Sequence, residues 1–376
     1  MVHSKLRNYV LLQNLANGLV SPFMSFLAAA IGVPSLGVSI VSSASSFFGG
    51  IVQLPLRRIR SAELLLKIST LLLAALWFMM ALLAYGNPML YLAIYVAIAC
   101  ISGVNSFAWS LVMERLSRGS RGRVLANYAF YGSIGGLLAT LLTGFMIRGN
   151  YALMQYVFMT SGFLVFMNVI NVWGFGLRNP ETQFVSNPLR LLRGNGKLTR
   201  FLLINMLFAM VWSFAWPLFP LAQLYIFHMN LEQLAIINLI SGFSTMAFQR
   251  HVGSWFDRNR KLIMFLGRFL LVVFPLSYAL APNVYVIYLT NTVAGFTNSA
   301  SNIAYISFVY DNSEDKKTAI ILYNLFYGVG TLIGSLTGGA LVTLVSDRIG
   351  LKEGVRIMLL GDAVARAAIS MLYMGV

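Results

Sequence analysis

Most of this chain is made of apolar runs about twenty residues long, the length a helix needs to cross the hydrocarbon core of a bilayer. Twelve such runs can be marked, at roughly 9–31, 35–56, 62–85, 89–113, 123–147, 152–176, 200–225, 232–251, 261–281, 284–309, 318–345 and 355–375. Backbone groups within lipid must bond to one another, which leaves helices or a closed barrel. The runs are continuous and do not alternate, which argues against a barrel. Turn residues separate them: Gly32 with Pro34, Gly86-Asn87-Pro88, Gly149-Asn150 and Pro282-Asn283. The expectation is an all-α polytopic membrane protein with twelve transmembrane helices.

Only 10% of the 376 residues are charged, against about 25% in soluble domains. That is too few to cover a soluble surface, which excludes a cytosolic enzyme, a disordered chain and a nucleic-acid-binding domain. The formal net charge is nonetheless +16. In a membrane protein such an excess belongs in the cytoplasmic loops, so it carries no implication of an anionic substrate. With the N-terminus inside, twenty-two of the Lys and Arg residues fall on the cytoplasmic side, Arg260, Lys261 and Arg268 among them. Arg148, Arg348, Lys352 and Arg356 fall outside, and Arg366 lies within the last run. The asymmetry predicts an even number of spans with both termini cytoplasmic. Lys5, Arg7 and the apolar run to Ala30 have the outline of a secretory signal, but Gln13, Asn14 and Asn17 interrupt it.

The longest polar gap, with Pro180, Pro188, Gly194 and Gly196, divides the chain into 1–177, a cytoplasmic linker 178–199, and 200–376. Within the linker, Pro188 to Arg193 reads as a short basic surface helix. Each part carries six runs, and Phe130-Tyr131-Gly132 recurs as Phe326-Tyr327-Gly328 in the fifth run of each. Internal repeats of this kind are typical of transporters, with their sites between the repeats.

Two loops then carry a family resemblance. Gly253-Ser254-Trp255-Phe256-Asp257-Arg258-Asn259-Arg260-Lys261, after the eighth run, resembles the Gly-x-x-x-Asp-Arg-x-Gly-Arg-Arg signature of the major facilitator superfamily, one residue short. In the first half, Gly49 and Gln53 followed by Arg57-Arg58 keep its length, with Gln53 in place of the Asp and Leu56 in place of the Gly. Glu114-Arg115 and Arg121-Gly122-Arg123 are similar to the superfamily's next loop. The resemblance implies two six-helix bundles and a cytoplasmic gate formed by Gly253, Asp257, Arg258, Arg260, Gln53 and Arg57. A carboxylate at that place can meet a helix N-terminus or an arginine and close one side. An ordinary charged loop is the other reading.

The resemblance also implies that helices 1, 4, 7 and 10 line the transport path. Those runs carry polar or aromatic stripes at steps of three, four and seven, which share a helix face. They are Asn14, Asn17, Ser21 and Ser25; Asn105 and Trp109; Asn205, Trp212 and Trp216; and Asn298, Asn302 and Tyr305. Amides within lipid are costly unless they face protein or water. Lining a solute cavity and bonding across helices as packing glue are both open readings for each of them. None of the four runs has an ionisable residue near its centre, and the glycines at Gly132, Gly135 and Gly136 lack the proline of the superfamily's antiporter pattern. Proton coupling is therefore not indicated. Asp362 and Arg366, at i,i+4 in the last run, form an intramembrane charge pair that is either structural or part of a proton path.

No Gly-x-Ser-x-Gly elbow, HExxH motif or phosphate loop is present, so no enzyme is expected. Cys100 stands alone, which excludes a disulfide within the chain and a cysteine-rich metal site. No metal and no cofactor are expected. The sequence points to a secondary active or facilitative transporter of a small neutral or amphiphilic solute, in the plasma membrane, working by alternating access. A drug or lipid exporter and a non-transporting receptor or scaffold are the alternatives. The expected partners are the solute and the lipid bilayer, with a monomer as the simplest state and no nucleic acid.

Overall fold

The computed structural model describes the backbone of residues 2–56, 61–84, 86–116, 121–173 and 188–375. Side chains are described there except at 2–4, 113–116, 121–131, 189, 250, 253, 257, 302, 303, 316 and 317. Among the described residues there is no strand, and ten helices are long and apolar enough to cross a membrane. They are α1 (Lys5–Ala30), α2 (Ser35–Leu56), α3 (Ala62–Leu83), α4 (Pro88–Val112), α6 (Tyr151–Trp173), α7 (Gly196–Ile226), α8 (Leu231–Gln249), α9 (Arg260–Leu280), α11 (Thr318–Ile349) and α12 (Leu351–Gly375). Two of the twelve expected runs fall outside the ten. In α5 (Arg121–Ile147) the described apolar part is Gly132–Ile147. The run 284–311, α10, is divided into short helical pieces with a π-helical turn at Ser301–Tyr305. The basic segment before α7 forms the short helix Pro188–Gly194.

Helix starts are set by short polar side chains that accept the first free N–H groups. Ser61 caps α3 through the Leu64 amide, Asn195 caps α7 through Leu198, and Asn259 caps α9 through Leu262. Asn283 accepts from the Tyr285 and Val286 amides at the start of α10, and Asp315 accepts from Thr318 at the start of α11. The turn glycines Gly32 and Gly86 take φ of +83° and +82°, a region open to residues without a Cβ. At the end of α5 it is Arg148, and not the neighbouring Gly149, that takes a positive φ.

Contacts group the chain into two compact units. The first comprises Met1–Val33, Val52–Phe184 and Asn230–Asn238, and the second Pro34–Ile51, Val185–Met229 and Leu239–Val376. In the first, α1 packs on α5 and α6, and α3 on α4 and α6. Lipid tails are as apolar as Leu, so helices associate by close packing and polar contacts and not by a hydrophobic drive. A Cβ on Gly18 would overlap the backbone of Gly136, and this closeness lets Thr140 donate to the Gly18 carbonyl at 2.8 Å. Ser161 and Asn168 of α6 donate to the Ala16 and Tyr9 carbonyls of α1. The start of α8 joins this unit through Leu231, whose amide donates to the Arg148 carbonyl at 3.0 Å, and through an Arg148–Glu232 ion pair at 3.3 Å.

In the second unit α11 is packed on two sides. Gly330, Gly334 and Gly338 lie against the carbonyls of Met206, Met210 and Phe214 of α7, where any Cβ would overlap them. On the other side Ser335 donates to the Ser39 carbonyl at 2.8 Å, and the Ser35 and Thr343 hydroxyls are 3.0 Å apart. The aromatic core of this unit gathers Phe201, Phe208, Tyr305, Phe308 and Tyr373. Leu82, Leu138, Met146, Leu289 and Val364 keep exposed apolar surface of the kind a bilayer covers.

Candidate functional site

A cavity of about 120 Å³ opens between α1 and α4 of the first unit. From α1 it is lined by Tyr9, Val10, Gln13, Asn14 and Asn17, and from α4 by Ser102, Asn105, Ser106 and Trp109. Steps of three and four put each set on one helix face. The structure thus brings together Asn14, Asn17, Asn105 and Trp109 from the sequence-predicted set. It adds Tyr9, Gln13, Ser102 and Ser106, which continue the same stripes one turn further and could have been found by extending them.

The lining divides into groups that are already used and groups that are not. Asn105 is consumed by its neighbours: its Oδ1 accepts from the Tyr9 hydroxyl at 2.9 Å, and its Nδ2 donates to Ser69 and Thr70 of α3, both at 3.0 Å. Tyr9 is buried by this bond and backs Trp109, with ring centroids 4.7 Å apart. Asn14 donates to the Val10 carbonyl of its own helix at 2.8 Å, and its amide packs against Gly132. Gln13 accepts from Asn168 at 3.4 Å. Asn17 is exposed, and among the described residues neither its amide nor the Ser102 and Ser106 hydroxyls have a side-chain hydrogen-bond partner. The walls carry no charge, so a ligand here meets donors, acceptors and one indole face.

The remaining expected residues go elsewhere. Ser21 opens a short 3-10 turn with Pro22 and is exposed, outside this lining. Trp212 and Trp216 meet edge to face at 5.1 Å in the second unit, and Trp212 lies 6.1 Å from the Tyr327 ring. Asn298 is exposed and donates to Thr245 at 3.3 Å. Asn302 lies in the π-helical turn, and its side chain is outside the described residues. Tyr305 is fully buried in the aromatic core and donates to the Met264 carbonyl at 2.6 Å.

Asn205 is also fully buried, and what it holds is a residue assigned above to the cytoplasmic side. Arg268 is 2% exposed and donates through Nη2 to Asn205 Oδ1 at 3.0 Å. Its guanidinium carbon lies 4.0 Å from the Tyr305 ring centroid, 4.8 Å from Phe208 and 5.8 Å from Tyr373. Arg268, counted above among the cytoplasmic charges, is therefore not a loop residue but one enclosed by helices. It stands eight residues into α9, about 12 Å along the helix, and is enclosed by α7, α10 and α12. Cation–π contacts of this kind offset about 0.5–2 kcal/mol each. Among the described residues no carboxylate reaches it. Asp362 and Arg366 do meet, with 2.7 Å between Nε and Oδ2 and both side chains fully buried. Arg366 also donates to the carbonyls of Leu271 and Trp212 at 2.9 and 2.8 Å.

At the expected gate, Gly253 and Asp257 lie within the helix Leu231–Arg258, but their side chains are outside the described residues, as is all of Arg57. Gln53 begins the short helix Gln53–Leu56. Arg258 is exposed, and Arg260 pairs with Asp311 at 2.7 Å, both half-exposed.

Set against known proteins, the chain matches the Major Facilitator Superfamily model over residues 9–335. No curated protein sequence matches it significantly. Among solved structures it is similar to the nucleoside transporter NupG, at TM-score 0.78 and 14% identity over 100% of this chain and 98% of that one. It is similar to an auto-inhibited POT family peptide transporter, at TM-score 0.76 and 12% identity over 98% and 96%. A bacterial homologue of the human lysosomal transporter Spinster, inward-facing, aligns at TM-score 0.69 and 12% identity over 100% and 96%. At these identities the likeness speaks for the fold alone.

Proposed function

This chain belongs to the major facilitator superfamily, and from that premise we propose that it is a secondary active or facilitative transporter of a small neutral or amphiphilic solute. Its twelve helices form two bundles, 1–177 and 200–376, joined by the linker 178–199, with both termini in the cytoplasm of a cell bounded by the membrane it spans. The bundles rock about a site near the midplane, and no covalent chemistry is involved. Gly253, Asp257, Arg258, Arg260, Gln53 and Arg57 are the cytoplasmic gate in this reading. Trp212, Trp216, Asn298 and Asn302 complete the lining contributed by the second bundle.

The observation that carries the reading is the uncharged cavity between α1 and α4. A charged solute entering it would lose hydration without meeting an opposite charge, which is costly. A neutral solute with hydroxyl or amide groups exchanges water for Asn17, Ser102 and Ser106, and an apolar face rests on Trp109. Nucleosides, which NupG carries, belong with sugars in the test panel for this reason.

The test is solute counterflow in proteoliposomes, with thermal unfolding read in parallel. A bound solute at a hundred times its dissociation constant stabilises by about 2.7 kcal/mol. Asn17→Ala removes one or two hydrogen bonds to solute, about 1–2 kcal/mol, or a five- to thirty-fold weaker Kd, with unchanged unfolding in the absence of solute. Flux and stabilisation confined to charged solutes, or indifferent to Asn17, would defeat the assignment.

A further inference from the structure

Arg366 shows how this fold holds a permanent cation away from water: a carboxylate at 2.7 Å and two backbone carbonyls at 2.9 and 2.8 Å. Arg268 is as deeply buried and is held differently. It has one amide oxygen and three aromatic faces. Its Nε–H meets no acceptor among the described residues, and neither does the Nδ2 amide of Asn205, whose oxygen takes the adjacent Nη2.

Nε and Nη2 form the edge of a guanidinium that carboxylates meet side-on with two parallel bonds. Asn205 supplies one oxygen to Nη2, and its own Nδ2 is left, like Nε, without an acceptor among the described residues. The amide has the outline of a carboxylate without its charge. The Tyr323 and Tyr373 hydroxyls stand close to the guanidinium, but neither satisfies Nε. Tyr305 donates to the Met264 carbonyl, and Tyr373 donates to the same Asn205 oxygen at 3.2 Å. Ring faces attract the cation but accept none of its in-plane hydrogens.

We propose that Arg268 and Asn205 form a binding site for a monovalent anion, either a halide or the carboxylate of a solute, held by the Nε–H of Arg268 and the Nδ2–H of Asn205. The preference for a single charge follows from the surroundings. Asp362 neutralises Arg366, and of the two buried arginines among the described residues Arg268 is the one with no carboxylate beside it. The entry side is α11, where Tyr323 and Tyr327 stack at 6.3 Å and are only half-buried. Tyr323 also stacks on Phe201, which faces Tyr305 of the same cage. This site belongs to the second unit and is independent of the uncharged cavity in the first.

The experiment is thermal unfolding of the purified protein while gluconate is exchanged for chloride, and separately for formate, at constant ionic strength. The expected result is a saturable rise in unfolding temperature for the wild type. Asn205→Asp sets a carboxylate against the same edge, so it unfolds at or above the wild-type plateau and no longer responds to either anion. Arg268→Gln removes the cation and also abolishes the response. A response to both anions marks a general monovalent site, and a response to formate without chloride marks a carboxylate site. A wild type indifferent to both anions overturns the proposal, and so does a response that survives in either variant. Should one variant fail to fold, the other decides against the wild-type titration.

Discussion

Replacing Asn105 with alanine separates two roles that an amide in the wall of a cavity can have. In the structure its three bonds all go to protein: from the Tyr9 hydroxyl, and to Ser69 and Thr70. Alanine takes away the acceptor 2.9 Å from a buried phenol, a cost of about 1–3 kcal/mol. Ser69 and Thr70 keep their own donation to the Leu66 carbonyl at 3.1 and 2.7 Å. Each then loses one incoming donor, about 0.6 kcal/mol by the average for hydrogen bonds between helices in membranes. The expected total is about 2–4 kcal/mol of stability. Tyr9→Phe alone removes the hydroxyl and costs about 1 kcal/mol. In the double variant the hydroxyl that loses this acceptor is gone as well, so the two losses fall short of additive by about 1–2 kcal/mol. Unfolding in mixed detergent, read by tryptophan fluorescence, measures all four corners of the cycle. Solute affinity of the variant, where it folds, should fall only as Tyr9 and Trp109 lose their register. An Asn105→Ala protein as stable as wild type that has lost solute binding would refute the argument, because it would make Asn105 a solute contact.

Asp362→Asn leaves Arg366 without its opposing charge and should cost about 3–5 kcal/mol, whereas Asp362→Leu combined with Arg366→Met should recover most of it, as read by the same unfolding assay. Gly334→Leu drives a side chain into the Met210 carbonyl and should leave little monodisperse protein on size exclusion, while Gly361→Ala, with nothing within 4 Å of the added Cβ, should behave as wild type. Arg260→Ala breaks a half-exposed ion pair with Asp311 and should lower stability by less than about 1 kcal/mol, with any larger effect confined to transport rates.

Much of the helical order was legible in the sequence because lipid imposes it: an apolar run of the right length has few alternatives. Some ends were legible too, since the turn residues Asn87 and Asn283 sit where a helix start needs a polar acceptor. Partnership was not legible. Asn105 could be marked as an unusual amide, but Tyr9 is ninety-six residues away in the chain, and no local pattern joins them. Arg268 was counted with the cytoplasmic charges although it lies inside the run 261–281. Counted with Arg260 and Lys261 it reads as a loop charge, yet two helical turns separate it from them and carry it into an aromatic cage. Only its position inside the apolar run 261–281 pointed inward. The division of α10 into short pieces has no counterpart in its composition, and neither does the packing of α2 on α11.

The two-sided seam of α11 bears on how the molecule can change over generations. Its closest contacts with α7 and α2 are made by backbone against backbone, at Gly330, Gly334 and Gly338 on one side and at Gly328 on the other. Such surfaces have no rotamers with which to absorb a replacement. A solute-facing asparagine can be exchanged for serine or glutamine and yield a new specificity. A seam glycine has no smaller residue to become. In a comprehensive substitution library the least tolerant positions should therefore be these seam glycines, while the residues lining the proposed solute cavity stay comparatively free to vary.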